Sequence, residues 1–254
     1  MEFVTVQGHR LEYERIPASD TAAPVIVFLH EGLGSASHWR DFPRQVVAAT
    51  GCPALVYSRY GYGGSDPLTE SRRVDFMHTE ALHTLPELLD RLGIEKPILF
   101  GHSDGASISL IYAGGTRRPV MGLILMAPHV MVEDICIRSI EAAKHTYETT
   151  DLRERLRRYH ANPDSAFRGW NDVWLNPDFR RWNIEAYLSA ISCPILAMQG
   201  EDDEYGTMEQ IDRIARLARN VEPLKLPDCR HSPHRDQTEK VLAAVTRFVD
   251  KIRR

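Results

Sequence analysis

Several short runs of this chain are apolar at almost every consecutive position: residues 25–29, 54–57, 98–100, 120–126 and 195–198. A strand with one face in water alternates apolar and polar side chains, because successive side chains point to opposite faces. These runs do not alternate, so each reads as a strand buried on both faces, the mark of a parallel sheet between helical layers. Between them lie stretches with helical periodicity, about residues 39–49, 75–92, 106–113 and 208–218, and a final one at 238–252. Residues 3–6 and 11–16, with Gly8 between them, read as an opening hairpin, and residues 221–226 as a last strand. The alternation implies the α/β class, a mostly parallel sheet covered by helices on both faces.

One stretch breaks the rhythm. Residues 129–191 carry helical patterns and loops but no strand, which is long for a connection between neighbouring core strands. They hold Trp170, Trp174 and Trp182, three of the four tryptophans, with Tyr159, Phe167, Phe179 and Tyr187. Ligand sites favour interfaces between substructures. The expected organisation is therefore a core of residues 1–128 and 192–254, with 129–191 inserted as a helical cap. The three tryptophans are candidate substrate contacts.

With 254 residues, of which 43% are hydrophobic, the chain can bury a single large core without covalent staples. The net charge of −4 gives no basic field for nucleic acid. The arginines at 153, 155, 157 and 158 read as a charged helix face. No apolar run approaches the roughly 18–20 residues that span a bilayer, and the amino terminus shows no signal-peptide pattern. Cys52, Cys136, Cys193 and Cys229 lie far apart, without a Cys-x-x-Cys pair, and read as reduced thiols. A soluble, cytoplasmic protein acting on a small molecule is expected, without nucleic-acid or membrane partners. No Gly-x-Gly-x-x-Gly or Walker-type loop occurs, and His78 and His83 are not aligned for a metal, so no cofactor and no metal are expected.

The chemistry is concentrated at Gly101-His102-Ser103-Asp104-Gly105, which follows the run ending at Phe100 and precedes a helical pattern. In that context Gly-x-Ser-x-Gly reads as a strained strand-to-helix turn. It lifts the serine above the sheet edge and aims a helix amino terminus at an oxyanion. Here the sequence resembles the α/β-hydrolase fold superfamily over essentially its whole length. The resemblance implies a triad in the order Ser, acid, His. It selects Asp203 after the strand ending at Gly200, with Asp202 the alternative, and His231 in the loop before the last helix. It also implies an oxyanion loop at His30-Glu31-Gly32-Leu33-Gly34, donating the N–H of Gly32 or of Leu33, with the N–H of Asp104 as second donor. Residues 59–66 echo the family's glycine-rich turn after the next strand and are expected to shape that turn.

What the resemblance implies is nucleophilic catalysis on a small carboxylic ester. Ser103 attacks, His231 moves the proton and Asp203 orients the imidazole. The same machinery suits thioesters, lactones and carbon–carbon cleavage, and a small-ligand receptor with a residual triad is the alternative of another class. Glu31 and Asp104 stand in unusual places. Facing the pocket unpaired, either would repel an anion, so a neutral or cationic ester is expected ahead of an anionic one.

Overall fold

In the computed structural model, which describes residues 1–20 and 22–254, the consecutive apolar runs form strands of one eight-stranded sheet. Its order is β1-β2-β4-β3-β5-β6-β7-β8. β1 (Glu2–Val6) and β2 (His9–Ile16) form the expected antiparallel hairpin, and β2 also runs antiparallel to β4 (Ala54–Tyr57). All other pairings are parallel, through β3 (Ile26–Leu29), β5 (Ile98–His102), β6 (Gly122–Met126), β7 (Ile195–Gly200) and β8 (Val221–Leu226).

Helix α1 (Phe42–Thr50) follows β3, α2 (Phe76–Thr79) and α3 (Leu85–Arg91) follow β4, and α4 (Asp104–Gly115) follows β5. Between β6 and β7 lie α5 (Asp134–Thr149), α6 (Leu152–Leu156), α7 (Pro163–Trp174) and α8 (Glu185–Leu188). Then α9 (Glu209–Leu217) follows β7, and α10 (Pro233–Asp236) and α11 (Thr238–Arg253) follow β8. The pattern at 75–92 predicts one helix. The structure divides it by a π-helical turn at Glu80–Thr84, where buried Glu80 accepts a hydrogen bond from the Tyr57 hydroxyl.

The lack of alternation in the strands has a direct cause. Ile26, Phe28, Ile98, Phe100, Ile124 and Met126 face a layer built from α1 and α11, with Val46, Val245 and Phe248. Val27, Leu29, Leu99, Leu123 and Leu125 face the opposite layer with Leu85, Ile108 and Ile111. Each such side chain, fully buried, contributes about 1.5–3 kcal/mol.

Register then brings the loops together. Leu29 pairs with Gly101, His102 with Met126, Met126 with Met198, and Gly200 with Leu226. The loops after β3, β5, β6, β7 and β8 therefore emerge side by side at the carboxyl ends of the parallel strands, where open α/β sheets bind ligands. Residues 127–194 contribute no strand to the sheet, only an isolated bridge between Met131 and Asn183. No helix among the described residues is long and apolar enough to cross a membrane.

Candidate active site

Ser103 occupies the turn between β5 and α4 with φ +51° and ψ −117°, a conformation that costs a non-glycine residue about 1–3 kcal/mol. The flanking glycines make the turn possible. A Cβ on Gly101 would lie 2.4 Å from the Gly105 carbonyl oxygen, and one on Gly105 would lie 2.1 Å from the carbonyl oxygen of Leu29. The Ser103 N–H is held by the Met126 carbonyl at 2.9 Å. Asp104 opens α4, so its N–H is one of the helix's first donors, which have no intrahelical acceptor.

After β7, Asp203 is buried and Asp202 exposed. The His231 Nδ1–H donates to Asp203 Oδ1 at 2.8 Å, and the same carboxylate accepts from the Tyr205 N–H at 2.8 Å and the Gln199 amide at 3.2 Å. Burial alone would push the Asp203 carboxyl up, but His231 and the Tyr205 N–H hold it below the usual carboxylate range. For His231, burial pushes down while the Asp203 charge and hydrogen bond push up, and the net shift is upward. His234, three residues on, is buried against Trp39, Phe42 and His102 instead.

The loop after β3 is clamped from two sides. From below, the buried Arg59 guanidinium donates to the carbonyls of His30 (3.2 Å) and Glu31 (2.9 Å). The glycine-rich turn beginning at Arg59 therefore supports this loop as well as shaping its own. From the helical segment, His160 Nε2–H donates to the Leu33 carbonyl at 3.0 Å, and the Trp170 indole lies where a Gly32 side chain would be, 2.2 Å from a Cβ built there.

The two carboxylates behave differently from the expectation. Asp104 points away from the nucleophile. One oxygen accepts from the Trp174 indole at 3.2 Å, and the other lies 3.9 Å from Arg59. Glu31 lines the cavity but is hydrogen-bonded, its Oε1 2.7 Å from His38 Nδ1, and its other oxygen lies 3.5 Å from His102 Nδ1. Burial would raise its carboxyl, yet those histidines hold it well below the usual range. Asp104 is held by Trp174 and Glu31 is hydrogen-bonded by His38, so neither is the unpartnered charge from which a preference for neutral or cationic esters would follow.

Ser103 and His231 line one cavity of about 200 Å³, together with Glu31, Gly32, Leu33, Trp170 and Trp174. Residues 26–245 match the alpha/beta hydrolase family. The chain belongs to that family, and with it to the hydrolases. A 2-hydroxy-6-oxononadienedioate/2-hydroxy-6-oxononatrienedioate hydrolase of Cupriavidus pinatubonensis is 31% identical over 128 residues, 49% of this chain and 43% of that relative, so the match spans less than half of either protein. A proline iminopeptidase of Saccharolobus solfataricus is 23% identical over 89% of this chain and 85% of its own length. A thermophilic esterase from Thermogutta terrifontis shares the fold with a TM-score of 0.77 at 19% identity, covering 99% of this chain and 98% of that one.

The hydrolase departs from its sequence reading at one cavity residue. Trp182 is not among the lining side chains. It stacks on Phe179, ring centroids 5.4 Å apart, behind Trp174. Sequence reasoning also missed His38, His129, Cys136 and Tyr205, all of which line the cavity. Nothing in their local patterns marks them, because their placement depends on which loops the sheet register brings together. His102 is different. It lies inside the Gly-x-Ser-x-Gly motif, and its Nε2–H donates to the His231 carbonyl at 2.8 Å.

Proposed function

We propose that this hydrolase cleaves a small carboxylic ester through an acyl-enzyme, with Ser103 as nucleophile, His231 as base and then acid, and Asp203 as its orienting carboxylate. The observation that carries the reading is the 2.8 Å contact from Asp203 to Nδ1 of His231, which lines the same cavity as Ser103. With Nδ1–H committed to the carboxylate, neutral His231 has Nε2 available as acceptor. The Ser103 hydroxyl oxygen bonds to the acyl carbon and its proton passes to His231. His231 then protonates the departing alkoxide. Water, deprotonated by the same imidazole, adds to the acyl-enzyme, and the acid leaves as Ser103 regains its proton. The N–H groups of Asp104 and of Gly32 are assigned to the developing oxyanion, each typically worth about 2.7–4 kcal/mol. Residues 129–191 act as a cap, a reading supported by Trp170, Trp174 and His160, which all reach catalytic loops.

A second reading rests on Arg235. Of the described Asp, Glu, Lys and Arg side chains lining the cavity, Glu31 is hydrogen-bonded by His38, Glu204 is paired with Arg230, and Arg235 has no carboxylate partner. That favours an anionic substrate, of the kind named for the Cupriavidus relative. A panel of p-nitrophenyl ester, thioester, lactone and dienedioate substrates tests both, with Ser103→Ala as the blank and organophosphonate labelling of Ser103 as control. Turnover of the neutral esters ahead of the others supports the first reading. Saturable binding without turnover of any of them would mean a receptor.

A further inference from the structure

His129 has no role in the proposed mechanism, yet it is only 2% exposed and forms part of the cavity wall. It follows the carboxyl end of β6, and its backbone is fixed at both polar atoms. Its N–H donates to the Ser107 hydroxyl at 3.1 Å, and its carbonyl accepts from that hydroxyl at 2.6 Å. Ser107 lies one turn beyond Ser103 in α4, so the His129 main chain is tied to the helix that begins at the nucleophile. The ring meets Trp174 edge-on, centroids 5.3 Å apart at 67°, and lies 5.9 Å from the His231 ring.

Most polar atoms around it have other partners, although Gln199 Oε1 is buried without one among the described residues. The Trp174 indole donates to Asp104, His231 Nδ1 to Asp203, and the Gln199 amide nitrogen to Asp203 and to the carbonyls of Gly206 and Thr207. His129 Nδ1 is buried with no partner among the described residues. A stranded buried polar atom of this kind is costly, and native structures retain few. Burial, with the neighbouring His231 acting in the same direction, pushes this imidazole down to about 3. At neutral pH it therefore offers one N–H donor and one nitrogen acceptor, and no charge. Such a group does not serve as a cationic anchor for a carboxylate. It is suited to a hydroxyl or a carbonyl.

We propose that His129 is a specificity-determining residue that hydrogen-bonds an uncharged polar group, a hydroxyl or a keto oxygen, on the substrate. The inference rests on the ester reading only for the choice of probes, and its test reads binding rather than turnover. Ser103→Ala protein is titrated calorimetrically with methyl butanoate and its 2-hydroxy, 3-hydroxy and 3-oxo derivatives, and with propyl butanoate against 2-hydroxyethyl butanoate. At least one polar compound is expected to bind about tenfold or more tightly than its parent. Ser103→Ala/His129→Phe brings that ratio close to one. Ser103→Ala/His129→Ala, which needs no extra space, does the same should the phenylalanine not be accommodated. Equal affinity throughout, no saturable binding by any compound, or a preference that survives both His129 variants overturns the inference. So does a loss of melting temperature in the variants with the ratio unchanged, which would make His129 structural. A preference seen in binding, with no ester turned over by wild type, would refute the ester reading and leave the His129 contact standing.

Discussion

The indole of Trp174 donates to the carboxylate of Asp104 across 3.2 Å, tying the last residue of α7 to the residue that directly follows Ser103. Asp104 therefore faces two ways. Its main-chain N–H is at the start of the nucleophile helix, while its buried side chain anchors the helical segment between β6 and β7. Burial pushes its carboxyl above the usual range, and Arg59, 3.9 Å from the second oxygen, opposes that shift.

If this contact couples the two substructures, Trp174→Phe and Asp104→Asn will not act independently. Trp174→Phe strands a buried carboxylate oxygen, so unfolding free energy should fall by roughly 1–3 kcal/mol. Residues in direct contact typically show coupling of about 0.5–3 kcal/mol. Urea denaturation of both single variants and the double variant measures it. Strict additivity would mean the contact contributes nothing.

The neighbouring acids after β7 make a second test. Asp203 carries the bond to His231 and Asp202 is exposed. Asp203→Asn is expected to lower kcat by a factor on the order of 10⁴, the scale for removing an orienting carboxylate, whereas Asp202→Asn stays within about twofold. The pH profile separates loss of orientation from misfolding. His231 must be unprotonated to accept the serine proton, and its pKa is raised, because Asp203 outweighs burial. Wild-type kcat/KM should therefore rise with pH through an inflection above 6.5, and Asp203→Asn should move that inflection down. An inflection that does not move would remove His231 from the role of base.

The element pattern was legible because burial on both sheet faces leaves a local trace, the unbroken apolar run. Ser103 was legible because its backbone needs glycines at 101 and 105. Side-chain direction was not. Asp104 next to a nucleophile looks like a charge in the pocket until β6 and α7 bring Trp174 beneath it. Trp170 and Trp182 belong to the same aromatic-rich stretch, and only packing distinguishes the one over Gly32 from the one behind Trp174. His129 carried no signal at all. Its relevance comes from the register that places the end of β6 between β5 and β7.

Substrate charge is now a question about Arg235. Its guanidinium donates to the His38 carbonyl at 3.1 Å and has no ion-pair partner among the described residues. For two unit charges about 6 Å apart near the surface, with an effective dielectric close to that of water, the interaction is roughly 0.7 kcal/mol, about threefold in affinity. The ratio of kcat/KM for an ester bearing a carboxylate to that for its neutral match should drop about threefold in Arg235→Gln and further in Arg235→Glu. Added salt should shrink the wild-type advantage. A ratio indifferent to all three changes would leave the rim of the cavity without influence on charge selection.

Acid stability gives the last prediction, and His160 isolates it. The ring bridges two substructures as a neutral tautomer. Its Nδ1 accepts from the Gly63 N–H at 3.0 Å, and its Nε2–H donates to the Leu33 carbonyl at 3.0 Å. Protonation would set an N–H against the N–H of Gly63. Burial accordingly pushes this imidazole down to about 4, below the 6.5 of a free side chain. A group with a depressed folded-state pKa contributes stability that is present above the unfolded value and lost as pH falls towards the folded one, because the unfolded chain takes up a proton that the native state refuses. The window is therefore below pH 6.5, continuing to about 4. By pH 5.5 the loss from one such histidine is about 1.4 kcal/mol. His30, His129 and His234 are lowered too and add in the same direction, while His231, raised, opposes them. His160→Gln keeps a donor and an acceptor without titrating. Between pH 6.5 and 5.5, wild type should lose about 1 kcal/mol more unfolding free energy than this variant in urea titrations. Parallel losses in the two proteins would show that His160 is not the group holding the helical segment to the loop after β3 in its neutral form.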